Sequence, residues 1–143
     1  MTEAGGFVYV IKQLELALRP RLEAACAEAG MTAAQFTALT VLRRRPGTTS
    51  SDLARRSFVR AQTMAGTLEP LIEEGLIRRE PDPGHRRRIR LFLTDAGVRA
   101  IDRLEPRVVE LEQTLLNGLD EDERELFADY LRRARHAMRD EHR

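Results

Sequence analysis

The chain has 143 residues, 42% hydrophobic and 33% charged, with a net charge of +1, which suits one folded domain with its own core. No apolar run approaches the ~18–20 residues of a membrane span, and the N-terminus lacks the basic segment of a signal peptide, so we expect a cytoplasmic protein. The single cysteine, Cys26, excludes an internal disulfide and a cysteine-based metal site.

Two helices are predicted at the start of the chain. Apolar residues recur every three or four positions from Phe7 to Leu22, which indicates an amphipathic helix, and Gly30 is expected to end it. Thr32 and Gln35 have the spacing of a capping box, so a second helix should open there.

The middle of the chain predicts two further helices and a hairpin. The helices cover about residues 50–56 and 61–74, and the strands cover residues 76–80 and 88–93. The longer helix should bury one face, formed by Met64, Leu68, Leu71 and Ile72. In the second strand Ile89, Leu91 and Leu93 should share the buried face. Two helices, a turn and a two-stranded hairpin predict a winged helix-turn-helix.

Two more helices should follow the hairpin. Thr94 is a cap for the first, and Asp120 with Glu123 opens the second. Their apolar stripes hold more surface than a small head can cover, so we expect another chain to cover them. The predicted fold class is mainly α with a small two-stranded β-wing.

Positive charge is concentrated in the middle third. Residues 43–90 hold twelve arginines against six acidic residues, a net +6, whereas residues 94–143 hold nine arginines against thirteen acidic residues, a net −4. At the hairpin the cluster consists of Arg86, Arg87, Arg88 and Arg90. This asymmetry predicts a polyanionic partner, and arginines suit the negative potential of a narrow minor groove. A solvated surface loop is the alternative.

The exposed face of helix 61–74 is the candidate for major-groove contact. Gln62 can pair with adenine, and Thr63 can meet a phosphate or a thymine methyl group. Gly66 permits close approach of the helix, and Arg60, just before the helix, can reach a phosphate. The alternative is that Gln62 and Thr63 are merely solvated.

Other classes of function find less support. The histidines His85, His136 and His142 have no metal-ligand spacing, and no glycine-rich phosphate loop or nucleophile motif is present. We therefore predict no enzyme, no metal and no cofactor. The remaining alternative is a winged-helix protein-interaction module without specific DNA binding.

Three stretches carry a resemblance to a known family: 30-GMTAAQFTALTVL-42, 53-LARRSFVRAQTMAGTLEPLIEEGLIRR-79 and 80-EPDPGHRRRIRLFLTDAG-97. In this order they resemble the MarR family of bacterial transcription regulators. The resemblance implies one domain over residues 1–143, with a DNA-binding lobe at about 33–93 and dimerisation helices at about 7–30 and 94–140. It also implies a homodimer on a near-palindromic double-stranded operator, repressing until a small molecule or an oxidant acts on it.

The resemblance also assigns residues by position. Helix 61–74 becomes the recognition helix, and Arg87 becomes the wing arginine. His85 stands where the family often has an aspartate that braces this arginine, so Arg86 or Arg88 can share the role. Arg60 stands at a position that is often Asp or Ser, which weakens the helix cap. The expected dimerisation residues are Phe7, Ile11, Leu111, Leu115, Phe127 and Leu131.

Two further expectations concern the signal. Family members that sense peroxides have a cysteine near the start of the first helix, whereas Cys26 lies near its end, which favours a buried structural thiol over a redox switch. Other members bind phenolic or aromatic carboxylate ligands between the dimer helices and the DNA-binding lobe. Candidates for such a site, with a plain core role as the alternative, are Phe7, Tyr9, Arg19, Phe36 and Arg43.

Overall fold

The structure is a computed structural model that describes residues 5–140, apart from the side chains of Arg86 and Asp140. In this range the chain forms six helices and one antiparallel pair of strands. The elements are α1 (Gly6–Glu28), α2 (Ala33–Arg44), α3 (Ser50–Arg56), α4 (Ala61–Glu73), β1 (Ile77–Asp82), β2 (His85–Leu93), α5 (Asp95–Leu115) and α6 (Glu121–Asp140). The mainly helical fold with a small β-wing is confirmed.

Two compact units divide the chain, with the boundary after Val108, inside α5. The first unit holds α1 to α4, the hairpin and the N-terminal part of α5. The second holds the rest of α5 and α6. The division of function between a DNA-binding lobe and dimerisation helices stays a prediction.

The core of the first unit forms where α2, α3, α4 and the hairpin meet. Its fully buried large side chains are Leu39, Leu42, Leu53, Leu71, Ile77 and Cys26. The predicted core face of α4 is confirmed for Met64, Leu68 and Leu71, while Ile72 is half-buried against this core. The start of α5 joins the same core through Ala100, Ile101 and Leu104.

The predicted caps explain where several helices begin. Thr32 accepts a hydrogen bond from the backbone N–H of Gln35 at 3.0 Å, and the Gln35 side chain accepts one from the N–H of Thr32 at 2.9 Å. Asp120 and Glu123 make the same reciprocal pair before α6. Because these bonds satisfy backbone donors that a helix leaves open, the sequence alone locates these starts.

The hairpin differs from its prediction in length. The strands reach Asp82 and begin at His85, so the predicted turn over residues 81–87 is wrong. The turn is confined to Pro83 and Gly84, where the Asp82 side chain accepts a hydrogen bond from the N–H of Gly84 at 2.9 Å. Pro81 is accommodated because a shift in register follows it, and an irregular edge tolerates a missing donor. We call this hairpin, residues 77–93, the wing.

A close approach fixes the start of α5 against the wing. Thr94 accepts a hydrogen bond from the N–H of Gly97 and donates one to the carbonyl of Gly75. A Cβ atom at Gly97 would lie 2.3 Å from the carbonyl oxygen of Leu76, so only glycine fits there. Thr94 therefore caps α5, as predicted, and also ties it to the end of α4.

Candidate nucleic-acid interface

Helix α4 has one buried and one exposed face. Gln62, Thr63, Gly66 and Glu69 are all exposed, opposite the buried Met64, Leu68 and Leu71. We call these four exposed residues the recognition face. Space around Gly66 is open, since a Cβ atom there would meet nothing within 4 Å. The face is therefore exposed along its length, with no side chain at Gly66 to hold a partner away.

Arg60 is the N-cap residue of α4, and its side chain makes no capping hydrogen bond. The weak cap expected from the sequence is confirmed. Arg60 is exposed at the N-terminus of α4, where a helix leaves backbone N–H groups without intrahelical acceptors. Guanidinium and helix N-terminus both favour an anion, so a phosphate fits this position.

Two wing arginines lie in strand β2: Arg88, as predicted, and Arg87, which was predicted in the turn. Arg87 and Arg88 are exposed, and within residues 5–140 neither forms a hydrogen bond or an ion pair with the protein. The side chain of Arg86 lies outside the described part of the chain. Arg87 and Arg88 lie where the register of the hairpin shifts, since Ile89 pairs with Pro81 and His85 with Asp82.

Arg90 is placed differently from the other wing arginines. Its side chain is half-buried, and its Nε donates a hydrogen bond to the carbonyl of Gly47 at 3.3 Å. The backbone of residues 47–49 also pairs with β2. The N–H of Gly47 donates a hydrogen bond to the carbonyl of Leu91 (2.9 Å), and the N–H of Leu91 donates one to the carbonyl of Thr48 (3.1 Å). Arg90 thus packs on the segment between α2 and α3. Its contact with DNA stays a prediction.

Two guanidinium groups lie close to the ring of Phe92. The guanidinium carbon of Arg78 lies 4.5 Å from the ring centroid and that of Arg90 lies 5.3 Å away. Such contacts stabilise cations over an aromatic face. Arg78 belongs to the other strand, where it pairs with Phe92, so this contact could not be predicted from the pattern of β2 alone.

Both arginines predicted to bind a ligand already pair with carboxylates of this chain. Arg19 is hydrogen-bonded to Glu15 at 2.6 Å, and this guanidinium, with Lys12, holds the pKa of the Glu15 carboxyl below its usual value. Nη2 of Arg43 lies 3.1 Å from Oδ1 of Asp102. Of the aromatic candidates, Phe7 and Tyr9 are exposed and Phe36 is half-buried against the core. A ligand at either arginine would have to compete with these pairs.

A cavity of about 430 Å³ lies between α4 and the wing. Its apolar lining includes Leu68, Ile72, Ile89 and Leu91, and charged groups at its margin come from Glu69, Glu73 and Arg79. None of the five sequence-predicted ligand residues lines it. Ile89, expected on the buried face, is 41% exposed because this cavity leaves it uncovered.

The residues predicted for dimerisation include exposed and half-buried side chains. Phe7 is 64% exposed and Ile11 58% exposed on α1, and Leu131 on α6 is 51% exposed. Leu111, Leu115 and Phe127 are half-buried. On α1 the exposed apolar side chains also include Val8, Tyr9 and Leu16, and a large exposed apolar patch typically marks an interaction site.

Cys26 is fully buried in the core of the first unit. Burial raises the pKa of the Cys26 thiol, which disfavours the reactive thiolate. The expected burial of this thiol is confirmed, and its structural role stays a prediction. Within residues 5–140 no helix is long and apolar enough to cross a membrane.

Known protein sequences are similar to this chain, and the similarity includes its middle part. A family model described as MarR family matches residues 29–88. The transcriptional repressor NicR of Pseudomonas putida is 28% identical over 103 residues, 72% of this chain and 65% of NicR. The putative regulatory protein for the hcr operon of Thauera aromatica is 33% identical, over 73% of this chain and 63% of that protein. The chain thus spans slightly less than two thirds of these two relatives.

A further relative is matched over more of its length. The transcriptional repressor Rv2887 of Mycobacterium tuberculosis is 30% identical over 111 residues, covering 78% of this chain and 80% of the repressor.

Solved structures match nearly the whole chain. A structure of MarR is 32% identical, with a TM-score of 0.76, over 94% of this chain and 98% of that one. PcaV from Streptomyces coelicolor, in complex with its natural ligand, is 28% identical, with a TM-score of 0.76, over 96% and 99%. Rv2887 in complex with salicylic acid is 26% identical, with a TM-score of 0.74, over 94% and 99%. With the sequence matches and the winged helix-turn-helix geometry, these likenesses show that the chain belongs to the MarR family of winged-helix transcription regulators.

Proposed function

We propose that this chain is a sequence-specific DNA-binding repressor that acts as a homodimer in the cytoplasm and leaves its operator when a small molecule binds. The observation that carries the proposal is the exposed recognition face of α4, flanked by arginines that have no partner within the described residues. An enzymatic role is not part of the proposal.

In this proposal α4 enters the major groove. Gln62 pairs with an adenine edge, Thr63 contacts a phosphate or a thymine methyl group, and Gly66 lets the helix approach closely. Arg60 binds a phosphate at the N-terminus of the helix. Two observations support this arrangement: the open space around Gly66, and the exposure of Arg60, Gln62 and Thr63.

The wing supplies the second set of contacts. Arg86, Arg87 and Arg88 bind the sugar-phosphate backbone or the minor groove beside each half-site, where the negative potential is strongest. Arg90 has a different proposed role, because its guanidinium packs on Gly47. Through this hydrogen bond Arg90 holds the wing against the segment between α2 and α3.

Dimerisation is proposed through α1 and the helices of the second unit. The exposed apolar side chains Phe7, Ile11 and Leu131, with the half-buried Leu111, Leu115 and Phe127, supply the contact surface. Two recognition helices related by a two-fold axis would reach half-sites about 34–36 Å apart, which requires a near-palindromic operator.

Ligand release is proposed because related structures hold small acids or natural ligands. Rv2887 was solved with salicylic acid and PcaV with its natural ligand. In this chain the predicted site at Phe7, Tyr9, Arg19, Phe36 and Arg43 requires Arg19 or Arg43 to exchange a carboxylate of the protein for that of the ligand. The cavity between α4 and the wing is a second place where an apolar molecule would disturb the DNA-binding surface.

A hydroxyl-radical footprint on the DNA upstream of the chain's own gene tests this proposal. We expect two protected half-sites about one helical turn apart, and no protection on a scrambled duplex. Light scattering of the free protein should give the mass of a dimer. A folded dimer that protects no duplex would contradict the proposal and favour the protein-interaction module instead.

A further inference from the structure

The wing ends in a histidine at the part of the hairpin that lies farthest along the strands from the core. His85 is the first residue of β2 and follows the turn at Pro83 and Gly84. Leu91, six residues further along β2, is buried in the core, so His85 lies about 20 Å from it along the strand. The His85 side chain is exposed. We call residues 83–85 the tip of the wing, and the imidazole is accessible there.

The wing carries an excess of positive charge. Its residues 77–93 hold six arginines against two acidic residues, a net +4 before any charge on the histidine. Of the two carboxylates, that of Glu80 forms an ion pair with Arg78. The other, on Asp82, accepts the hydrogen bond from Gly84 that closes the turn. The wing therefore keeps a net positive charge that its own carboxylates do not balance.

The charged neighbours of His85 along the hairpin are one carboxylate and two guanidinium groups. Asp82 is its register partner in β1, and Arg86 and Arg87 follow it in β2. Within residues 5–140, and with the side chain of Arg86 left aside, the His85 imidazole forms no hydrogen bond or ion pair with the protein. It is thus available to an anion from outside the chain.

Histidine is the one side-chain type in the wing that ordinarily changes its charge near neutral pH. Imidazole changes its charge between about pH 5 and pH 8, whereas arginine stays charged and carboxylates ionise at lower pH. A phosphate beside an imidazole favours the protonated form, because opposite charges attract. Contact between the tip of the wing and a DNA phosphate would therefore take up a proton.

We propose that His85 is a further DNA contact of the wing, which binds a phosphate of the operator as the imidazolium, so that each wing takes up a proton on binding. The inference rests on the proposed DNA-binding function. It gives operator affinity a pH dependence of defined sign. Because the bound state holds more protons than the free protein, affinity rises as pH falls and drops as pH rises.

Fluorescence anisotropy with the duplex that wild-type protein protects tests the contact between pH 6 and pH 8. Wild-type affinity should be about tenfold higher at pH 6 than at pH 8. His85→Gln, which is neutral throughout, should bind at both pH values as wild type binds at pH 8. His85→Lys, which is charged throughout, should bind at pH 8 about as tightly as wild type at pH 6. His136→Gln in α6, where no DNA contact is proposed, is the matched control and should keep the wild-type pH profile.

Salt dependence separates a phosphate contact from an internal pair between His85 and Asp82. A phosphate contact steepens the slope of log K against log salt by about 0.9 for each wing. The wild-type slope should therefore be steeper at pH 6 than at pH 8, while His85→Gln should give one slope at both. Calorimetry in two buffers of different ionisation enthalpy should show proton uptake by wild type that His85→Gln lacks.

Three results would overturn the inference: a wild-type affinity that does not change with pH, a wild-type pH profile in His85→Gln, or a wild-type salt slope that is the same at pH 6 and pH 8. Each of them is obtained with protein that binds its operator, so the proposed function would stand. Wild-type protein that binds no duplex at any pH would instead overturn the proposed function itself.

Discussion

The contact between Gly47 and Arg90 predicts a specific loss of stability on Gly47→Ala. Gly47 has a φ of +84°, and a Cβ atom there would lie 2.3 Å from Nη2 of Arg90. The substitution therefore adds backbone strain and also displaces the guanidinium from its hydrogen bond to the Gly47 carbonyl. Gly30→Ala is the matched control, since Gly30 has a φ of +74° and nothing lies within 4 Å of a Cβ atom.

The magnitude follows from these two contributions. Left-handed strain costs about 1–2 kcal/mol for alanine, and this part is common to both variants. Displacing Arg90 removes a hydrogen bond worth about 0.5–1.5 kcal/mol, so Gly47→Ala should lose about 1 kcal/mol more than Gly30→Ala. In an Arg90→Ala background this excess should disappear, because the clash is gone.

Urea unfolding followed by far-UV circular dichroism measures the difference, provided that the slope m stays constant across the variants. Equal losses for Gly47→Ala and Gly30→Ala would refute the proposed clash. An excess that persists after Arg90→Ala would show that another group resists the new methyl group.

Two more predictions concern α4 and the buried thiol. Gly66→Ala should raise the free energy of unfolding by about 0.5–1 kcal/mol, because the position is helical and open. The same variant should weaken operator binding, measured by fluorescence anisotropy. Unchanged affinity would remove Gly66 from the interface. Cys26 should react slowly with a thiol reagent in the native state and quickly in urea, because burial raises its pKa. Because the unfolded thiol ionises first, stability should fall as pH rises above the ordinary thiol pKa of about 8.5, and Cys26→Ala should lose this dependence. Rapid native-state labelling would contradict the burial of this thiol.

Local signals in the sequence were sufficient for the helices. The capping pairs at Thr32 and Asp120 and the apolar spacing in α4 act within one or two helical turns, so no knowledge of the rest of the fold is needed. The predicted range 50–56 for α3 agrees with the structure for the same reason.

Signals that depend on contacts between distant residues were not available from the sequence. The length of the wing was underestimated because Pro81 and Asp82 favour turns locally, whereas pairing with β2 keeps them in a strand. The role of Arg90 depends on Gly47, which lies 43 positions away. The turn between α3 and α4 was predicted, but the left-handed conformation of Phe58 within it was not, because that position is normally marked by glycine.

The most direct test of the account is the salt dependence of binding to the operator duplex, measured by fluorescence anisotropy. Arg87→Ala should weaken binding and lower the slope of log K against log salt by about 0.9, the value for one phosphate contact. Arg107→Ala in α5 is the control, because the Arg107 guanidinium pairs with Glu28 and has no proposed DNA contact, and this variant should leave the slope at its wild-type value. A wild-type protein that binds native and scrambled duplexes equally and weakly, with Arg87→Ala indistinguishable from it, would contradict the claim that α4 and the wing recognise a specific DNA sequence.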